Sequence, residues 1–202
     1  MSPALLSEIF NLSVEHAVLV LVAIGAACAI GLPAAVALTR RAGARRWVLG
    51  IANIGQTIPS LALFGFLVPL VGIGKGAAIL ALTLYALLPI LRNTLTGILG
   101  VDPAVRESAV AMGMTGAQIL RQVELPLAVP SIVAGLRIAT VTTIGTATIA
   151  AAIGGGGLGV FIFRGIAMFD KATVLAGALP AAVLALAADE ALEWIERRLS
   201  PA

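Results

Sequence analysis

Three long stretches of this chain carry no charged side chain: Ala17 to Leu38, Trp47 to Gly74 and Ile138 to Phe163. A bilayer-spanning helix needs roughly 20 predominantly apolar residues, and each stretch supplies them. Two shorter runs, Gly76 to Leu91 and Ala172 to Ala188, are bounded by single charged residues. The runs predict five transmembrane helices, over about 17–39, 47–71, 77–99, 130–152 and 172–194. They are unbroken blocks without the in-out alternation of a transmembrane β-barrel. Composition agrees, with 60% of the 202 residues hydrophobic and only 11% charged, against roughly 25% charged in an average soluble domain. A soluble domain of this size leaves about a quarter to a third of its unfolded surface exposed and could not hide so much apolar area. Disorder needs low hydrophobicity and high net charge, and is excluded too. The expected fold is an all-α, polytopic membrane protein forming a single transmembrane domain over 1–202.

Short cytoplasmic loops hold an excess of Lys and Arg. With the N-terminus outside and the C-terminus cytoplasmic, the inner loops and tail collect Arg40, Arg41, Arg45, Arg46, Arg92, Arg106, Arg121, Arg137, Arg197 and Arg198. Lys75, Arg164 and Lys171 remain outside. The net charge of +3 therefore reflects topology and gives no reason to invoke nucleic acid. The first 16 residues hold Glu8 and Glu15 but no Lys or Arg, so they lack the basic region of a cleavable signal peptide and the first helix is expected to be retained. The single cysteine, Cys28, is expected to pack as a small apolar residue.

Proline falls inside four of the expected spans, as Pro33, Pro59, Pro69, Pro89 and Pro180. Each removes an amide donor, which membranes tolerate where protein or a water-filled cavity satisfies the freed carbonyl. A bundle with a cavity is expected. The fourth span is rich in threonine, and its Thr142 and Thr146 share a face. Two readings stand for these hydroxyls: they bond back to their own helix or a neighbour, or they form a polar stripe along a translocation path. Asn53, Gln56 and Thr57, close to Pro59, carry the same two readings. Arg92 and Arg137 lie at span ends, where long cationic side chains reach the interface, and His16 is expected as an interface residue at the outer edge of the first span. No Asp, Glu or His falls near the middle of a span to serve as a proton relay, and the residues suggest no metal site.

One sizeable segment, about 100–129, faces the cytoplasm and reads as two short helices. Asp102-Pro103 is an N-cap and first-turn pair for a helix that Gly113 can end. Thr115 and Gln118 have capping-box spacing for a second helix that Pro126 is expected to stop. Few basic residues and a membrane span at each end argue against a DNA-binding helix-turn-helix.

Glu107-Ser108-Ala109, then Gly113, then Val123-Glu124-Leu125-Pro126 nine residues later, resembles the EAA loop of ABC importer permeases, E-A-A-x3-G-x9-I-x-L-P. Ser108 and Val123 depart from the pattern conservatively in size. The wider stretch, taking in Gln56 to Ser60, Arg106 to Met114 and Gly154 to Gly159, is similar to permeases for osmoprotectants such as glycine betaine, carnitine and choline. Permeases for methionine and other small solutes share the five-helix core and are the alternative. An ATP-independent secondary transporter or a membrane scaffold is the alternative of another class.

The resemblance implies that the loop docks on a cytoplasmic ABC ATPase dimer and transmits its closure to the membrane helices. Glu107 is expected to pair with a basic residue of the ATPase, Ala109 and Gly113 to permit close approach, and Leu125-Pro126 to join the lever to the fourth span. Gly154, Gly157 and Gly159 are expected near an external gate. Also implied are a second permease copy or paralogue, an extracytoplasmic substrate-binding protein, and a bacterial cytoplasmic (inner) membrane as the surrounding lipid bilayer. Gly74-Lys75 has Pro69 where a P-loop needs glycine and Gly76 where it needs Ser or Thr. This chain is thus expected to be a permease without enzymatic activity or cofactor of its own, with ATP and Mg bound in the partner ATPase. Aromatic residues are 4% of the chain, too few to propose a cage for a quaternary ammonium group.

Overall fold

The structure, a computed structural model, describes residues 3–199, and its elements there are helical. Helix α1 spans Pro3–Thr39. At 1.5 Å per residue it is about 55 Å long, well beyond a hydrocarbon core of about 30 Å. The expected span 17–39 is only its C-terminal part, and Glu8, Glu15 and His16 belong to the same continuous helix.

The expected second span, 47–71, is broken. Helices α2 (Ala42–Thr57) and α3 (Ser60–Val71) meet at 102°. Pro59 is the cause: it has no N–H to continue the helix and drives Ile58 into extended backbone (φ −68°, ψ 125°). Helix α4 (Lys75–Leu99) matches the third span and runs through Pro89. That proline frees the carbonyl of Tyr85 four residues back, and the Gln56 Nε2 amide donates to it at 2.9 Å. The Tyr85 hydroxyl in turn donates to the Ile58 carbonyl at 2.5 Å, closing a clasp across the α2–α3 bend.

After α5 (Pro103–Ala111) the chain forms α6 (Gly116–Ile119), a π turn (Leu120–Glu124) and α7 (Leu125–Ala147). The expectation that Pro126 stops the second loop helix is overturned, because the helical path continues from Gly116 to Ala147. Pro126 sits in the first turn of α7, and the π turn just before it closes with a Leu125 N–H to Leu120 carbonyl bond. Its wider ring moves the carbonyls that a proline would otherwise strike. Pro130 is also accommodated inside α7. The fourth span, expected over 130–152, leaves α-helix at Ala147 and finishes as a 3-10 turn, Ile149–Ile153. A short α8 (Gly159–Ala167), not anticipated, precedes α9 (Lys171–Leu199), which covers the fifth span.

Four described helical stretches are long and apolar enough to cross a membrane, and the bent α2–α3 pair brings the number to five. Helix α4 is central, packed along α1 and α7, while α9 packs on α7 and α8. The core is alanine-rich, with Ala23, Ala27, Ala81, Ala86 and Ala139 fully buried, as suits helices held by close approach in lipid. Gly135 shows how close: a Cβ there would lie 2.5 Å from Asn93 Cβ and 3.0 Å from the Pro89 carbonyl.

The α8–α9 corner is a three-residue link, Met168 to Asp170. The Phe169 N–H donates to the Ile166 carbonyl and the Asp170 N–H to Gly165, the bonding of a Schellman cap. Asp170 accepts from the Thr173 hydroxyl and the Ala172 N–H, which hold its carboxyl below the ordinary range. Phe169 has φ 53°, occupying the left-handed position usually given to glycine, and is 95% exposed. Replacing it with glycine removes a left-handed penalty of about 1 kcal/mol. Thermal unfolding in detergent should show Phe169→Gly equal to or more stable than the parent; a clear loss of stability would mean the ring packs on something essential.

Candidate functional site

The sequence-predicted candidates cluster chiefly at two ends of the helical bundle. At one, Asp102 caps α5 by accepting the Ala104 N–H at 2.8 Å. The helix ends as expected at Gly113, which takes φ +78° while its N–H bonds the Val110 carbonyl and that of Met114 bonds Ala109. Both halves of the Thr115/Gln118 capping box are formed. The segment is therefore a rigid elbow. Glu107 and Ser108 point out exposed, Ala109 is buried, Val123 and Leu125 are half-buried, and Pro126 is exposed. Helix α5 packs back on α6 and the π turn, so all seven sequence-predicted coupling residues lie in one elbow continuous with α7.

Two residues with no assigned role hold that elbow. Glu124 is 8% exposed, and Arg106 Nε lies 2.8 Å from its Oε1. Arg106 Nη2 also donates to the Ile98 carbonyl at 3.0 Å, one of the orphan acceptors at the end of α4. One guanidinium thus ties α5 to the end of α4 and the start of α7. Arg40 adds a second tie, from Nη2 to the Gly116 carbonyl at 2.6 Å. Arg106→Gln leaves Glu124 buried without its cation and should cost about 2 kcal/mol. In the double variant Arg106→Gln, Glu124→Gln much of that loss should return, and thermal unfolding of the three variants measures it.

At the other end is the glycine-rich turn. Gly154, Gly156 and Gly157 have φ of +76°, +82° and +73°. Glu15 on α1 accepts the Gly157 N–H at 3.0 Å and pairs with Lys75 at 2.6 Å, the first residue of α4. A Cβ on Gly156 would lie 2.6 Å from Glu15 Oε2, and one on Gly157 2.9 Å from His16 Nδ1. His16 corrects the expectation of an interface residue, being fully buried. Its Nε2 donates to the Ile144 carbonyl at 3.0 Å, because the last turn of α7 leaves that acceptor without a helical partner. The periodicity of α1 alone does not reveal the Glu15–His16 bracket, since its partners, Lys75, Ile144 and Gly157, all lie on other elements far along the sequence.

The remaining candidates divide. The side chains of Asn53, Gln56 and Thr57 are engaged: Asn53 Oδ1 accepts from Arg92, Gln56 completes the clasp, and Thr57 bonds back to Ile54. Thr142 and Thr146 bond back to Ile138 and Thr142, so the first of their two readings holds for the hydroxyls. Their face is nevertheless uncovered, with Ile138, Thr142 and Gly145 exposed along it. Helix α2 packs on α1 and α4 and α7 chiefly on α4 and α9, so the two polar sets share α4 as their common neighbour. Arg92 and Arg137 do not simply reach for the interface. Arg137 binds Asp189 through two bonds of 2.5 and 2.8 Å and Glu193 through a third of 2.7 Å, pinning α9 to α7. Among the described residues no His/Cys/Asp/Glu group could hold a metal ion.

Known proteins resemble this chain in sequence and fold. The family model described as "Binding-protein-dependent transport system inner membrane component" matches residues 20–201. The choline transport system permease protein OpuBB of Bacillus subtilis is 46% identical over 96% of this chain and 90% of its own length. The glycine betaine/carnitine/choline transport system permease protein OpuCB of the same organism is also 46% identical, over 93% of this chain and 86% of its own. The carnitine transport permease protein OpuCD of Listeria monocytogenes reaches 49%, over 87% and 79%. An inward-facing structure of the MetNI methionine ABC transporter superposes over the whole of both chains with a TM-score of 0.89 at 28% identity. With the family model matching nearly the whole chain, this protein belongs to the binding-protein-dependent transport system inner membrane components, the membrane permease subunits of ABC importers.

Proposed function

We propose that this chain is the permease subunit of an ATP-driven importer of osmoprotectants such as glycine betaine, carnitine or choline, working by alternating access. The observation that carries the reading is the capped elbow of residues 102–126, continuous with α7 and held by Arg106 and Arg40. A load applied at α5 passes into a membrane helix without crossing a flexible joint. In this reading Glu107, Ser108, Ala109 and Gly113 meet a cytoplasmic ABC ATPase dimer, while Val123, Leu125 and Pro126 pass its movement to α7. ATP and Mg belong to the ATPase, and this chain performs no hydrolysis. The excess of arginine at the elbow end supports a cytoplasmic location for it, with the N-terminus outside and the whole chain acting as one transmembrane domain.

At the opposite end, the turn bearing Gly154, Gly157 and Gly159 forms part of the external gate, facing an extracytoplasmic substrate-binding protein. The uncovered Thr142–Thr146 face lines the path together with a second permease, identical or paralogous, and Asn53, Gln56 and Thr57 shape its flank through the α2–α3 bend. The osmoprotectant substrate is supported by the choline, carnitine and glycine betaine systems in which the similar permeases work. Methionine is the second reading, favoured by the methionine transporter's superposition.

Purification in mild detergent should recover the chain with a P-loop ATPase, and liposomes holding the assembly should take up choline or glycine betaine only with internal ATP and external binding protein. Uptake without ATP would overturn the importer reading. Methionine uptake in place of either osmoprotectant, with the matching binding protein, would overturn the substrate alone.

A further inference from the structure

The concave side of the α2–α3 bend holds an apolar cavity of about 510 Å³ between α1, α2, α3 and α4. Ala34, Val48, Ala52, Leu63 and Leu87 line it. Gln56 and Tyr85 also reach its wall, but the amide and the hydroxyl are spent in the clasp that holds the bend. The cavity therefore offers hydrocarbon and almost no free polar group, which suits an alkyl chain and disfavours a polar solute. From Val48 to Gln56 it follows α2 for about 12 Å at 1.5 Å per residue.

The charge at the head of α2 has no counter-ion among the described residues. From His16 to Val101 the sequence contains no Asp or Glu, while Arg40, Arg41, Arg45, Arg46 and Arg92 fall within that stretch. Arg40 is engaged by the Gly116 carbonyl and Arg92 by Asn53. Arg41, Arg45 and Arg46 make no ion pair or side-chain hydrogen bond among the described residues. Spacings of three and four residues put Arg45, Val48 and Ala52 on one face of α2, so Arg45 lies in line with the cavity's α2 wall, with Arg41 as the N-cap residue just before the helix and Arg46 next to it in the chain. Trp47, 76% exposed in the same turn, is the kind of residue that marks the headgroup level.

We propose that this cavity and its arginines form a binding site for an anionic phospholipid, with one acyl chain under the α2–α3 bend and the phosphate held by Arg45 with Arg41 or Arg46. Guanidinium groups bind phosphate oxygens through paired hydrogen bonds, and basic sites between membrane helices select anionic headgroups by this chemistry. The bound chain fills the bend that Pro59 opens, so the lipid braces α2 against α1 and α4.

Trp47 makes the site testable, because Trp194 is the only other tryptophan. The full chain carrying Trp194→Phe is placed in phosphatidylcholine vesicles to which either dibrominated phosphatidylglycerol or dibrominated phosphatidylcholine is added. Quenching of Trp47 should favour the brominated phosphatidylglycerol severalfold at equal mole fraction. The preference should vanish in Arg41→Gln, Arg45→Gln, Arg46→Gln and persist in the corresponding lysine variant, and Ala52→Phe should reduce quenching by either lipid. Equal quenching by the two lipids would overturn the proposal, as would a preference that survives loss of the three arginines. Quenching by neither would show the cavity covered by protein, such as a second permease, and would overturn it as well.

Discussion

Alanine at Gly159 is expected to destabilise the protein by about 3 kcal/mol or more. Its Cβ would lie 1.9 Å from the Thr148 carbonyl oxygen, a backbone atom that cannot rotate away, and 2.9 Å from Ala151 Cβ. To admit it, α8 must move off the 3-10 turn, and the whole segment from Gly154 to Gly159 must move with it. Gly157→Ala should follow closely, since it combines a left-handed backbone penalty of about 1–2 kcal/mol with contacts of 2.9 and 3.3 Å to His16. The control is Gly145→Ala in α7, where no heavy atom lies within 4 Å of the added carbon; alanine's better helix propensity should leave it neutral or stabilised by up to about 1 kcal/mol. Thermal unfolding in detergent measures all three. Parent-like stability of Gly159→Ala would mean that the turn is looser than the packing around it indicates.

The second large effect is functional and should leave the fold untouched. Glu107→Lys reverses a charge on the exposed face of α5, at a side chain with no hydrogen bond or ion pair among the described residues. The helix keeps its Asp102 cap and its Gly113 turn, so stability should change by no more than about 0.5 kcal/mol. If this face meets the ATPase as proposed, a like-charge contact replaces an opposite-charge one at the docking site, and ATP-driven uptake should fall on the order of 10- to 100-fold. ATP hydrolysis should persist and lose its response to transport. Normal coupled uptake by Glu107→Lys would remove this residue from the docking surface.

Both predictions start from residues that stand out in the sequence, yet their reasons come from different places. The elbow was legible because caps are local: Asp102-Pro103, Gly113 and Thr115/Gln118 satisfy backbone groups within a few residues of themselves, and each forms as its spacing predicts. Pro126 misled because proline's effect depends on the turn before it, and a π turn lets the helix continue where an α turn could not. The second span misled in the opposite sense. Its unbroken hydropathy across Trp47 to Gly74 hides a 102° bend, since hydropathy measures solvent preference and not direction.

The glycine-rich turn shows the same division. Its glycines announce unusual backbone, but what occupies the space they leave is Glu15 and His16, which lie just before the expected first span and give no sequence sign of that contact. Gln56 and Arg137 were likewise visible as polar groups near apolar spans without any sign of their partners, Tyr85 in one case and Asp189 with Glu193 in the other.

Apolar run length and cap spacing alone thus determined an all-helical membrane chain with a capped helical elbow between two of its spans, because the bilayer and the helix terminus each impose their demands over short, contiguous segments. The tertiary structure alone decided which buried carbonyls and charges meet: Gln56 with the carbonyl freed by Pro89, His16 with the end of α7, Arg106 with Glu124, Arg137 with α9. A polar group buried in an apolar bundle must find a partner wherever packing brings one within hydrogen-bond distance, and that choice depends on helix contacts between residues tens to more than a hundred positions apart.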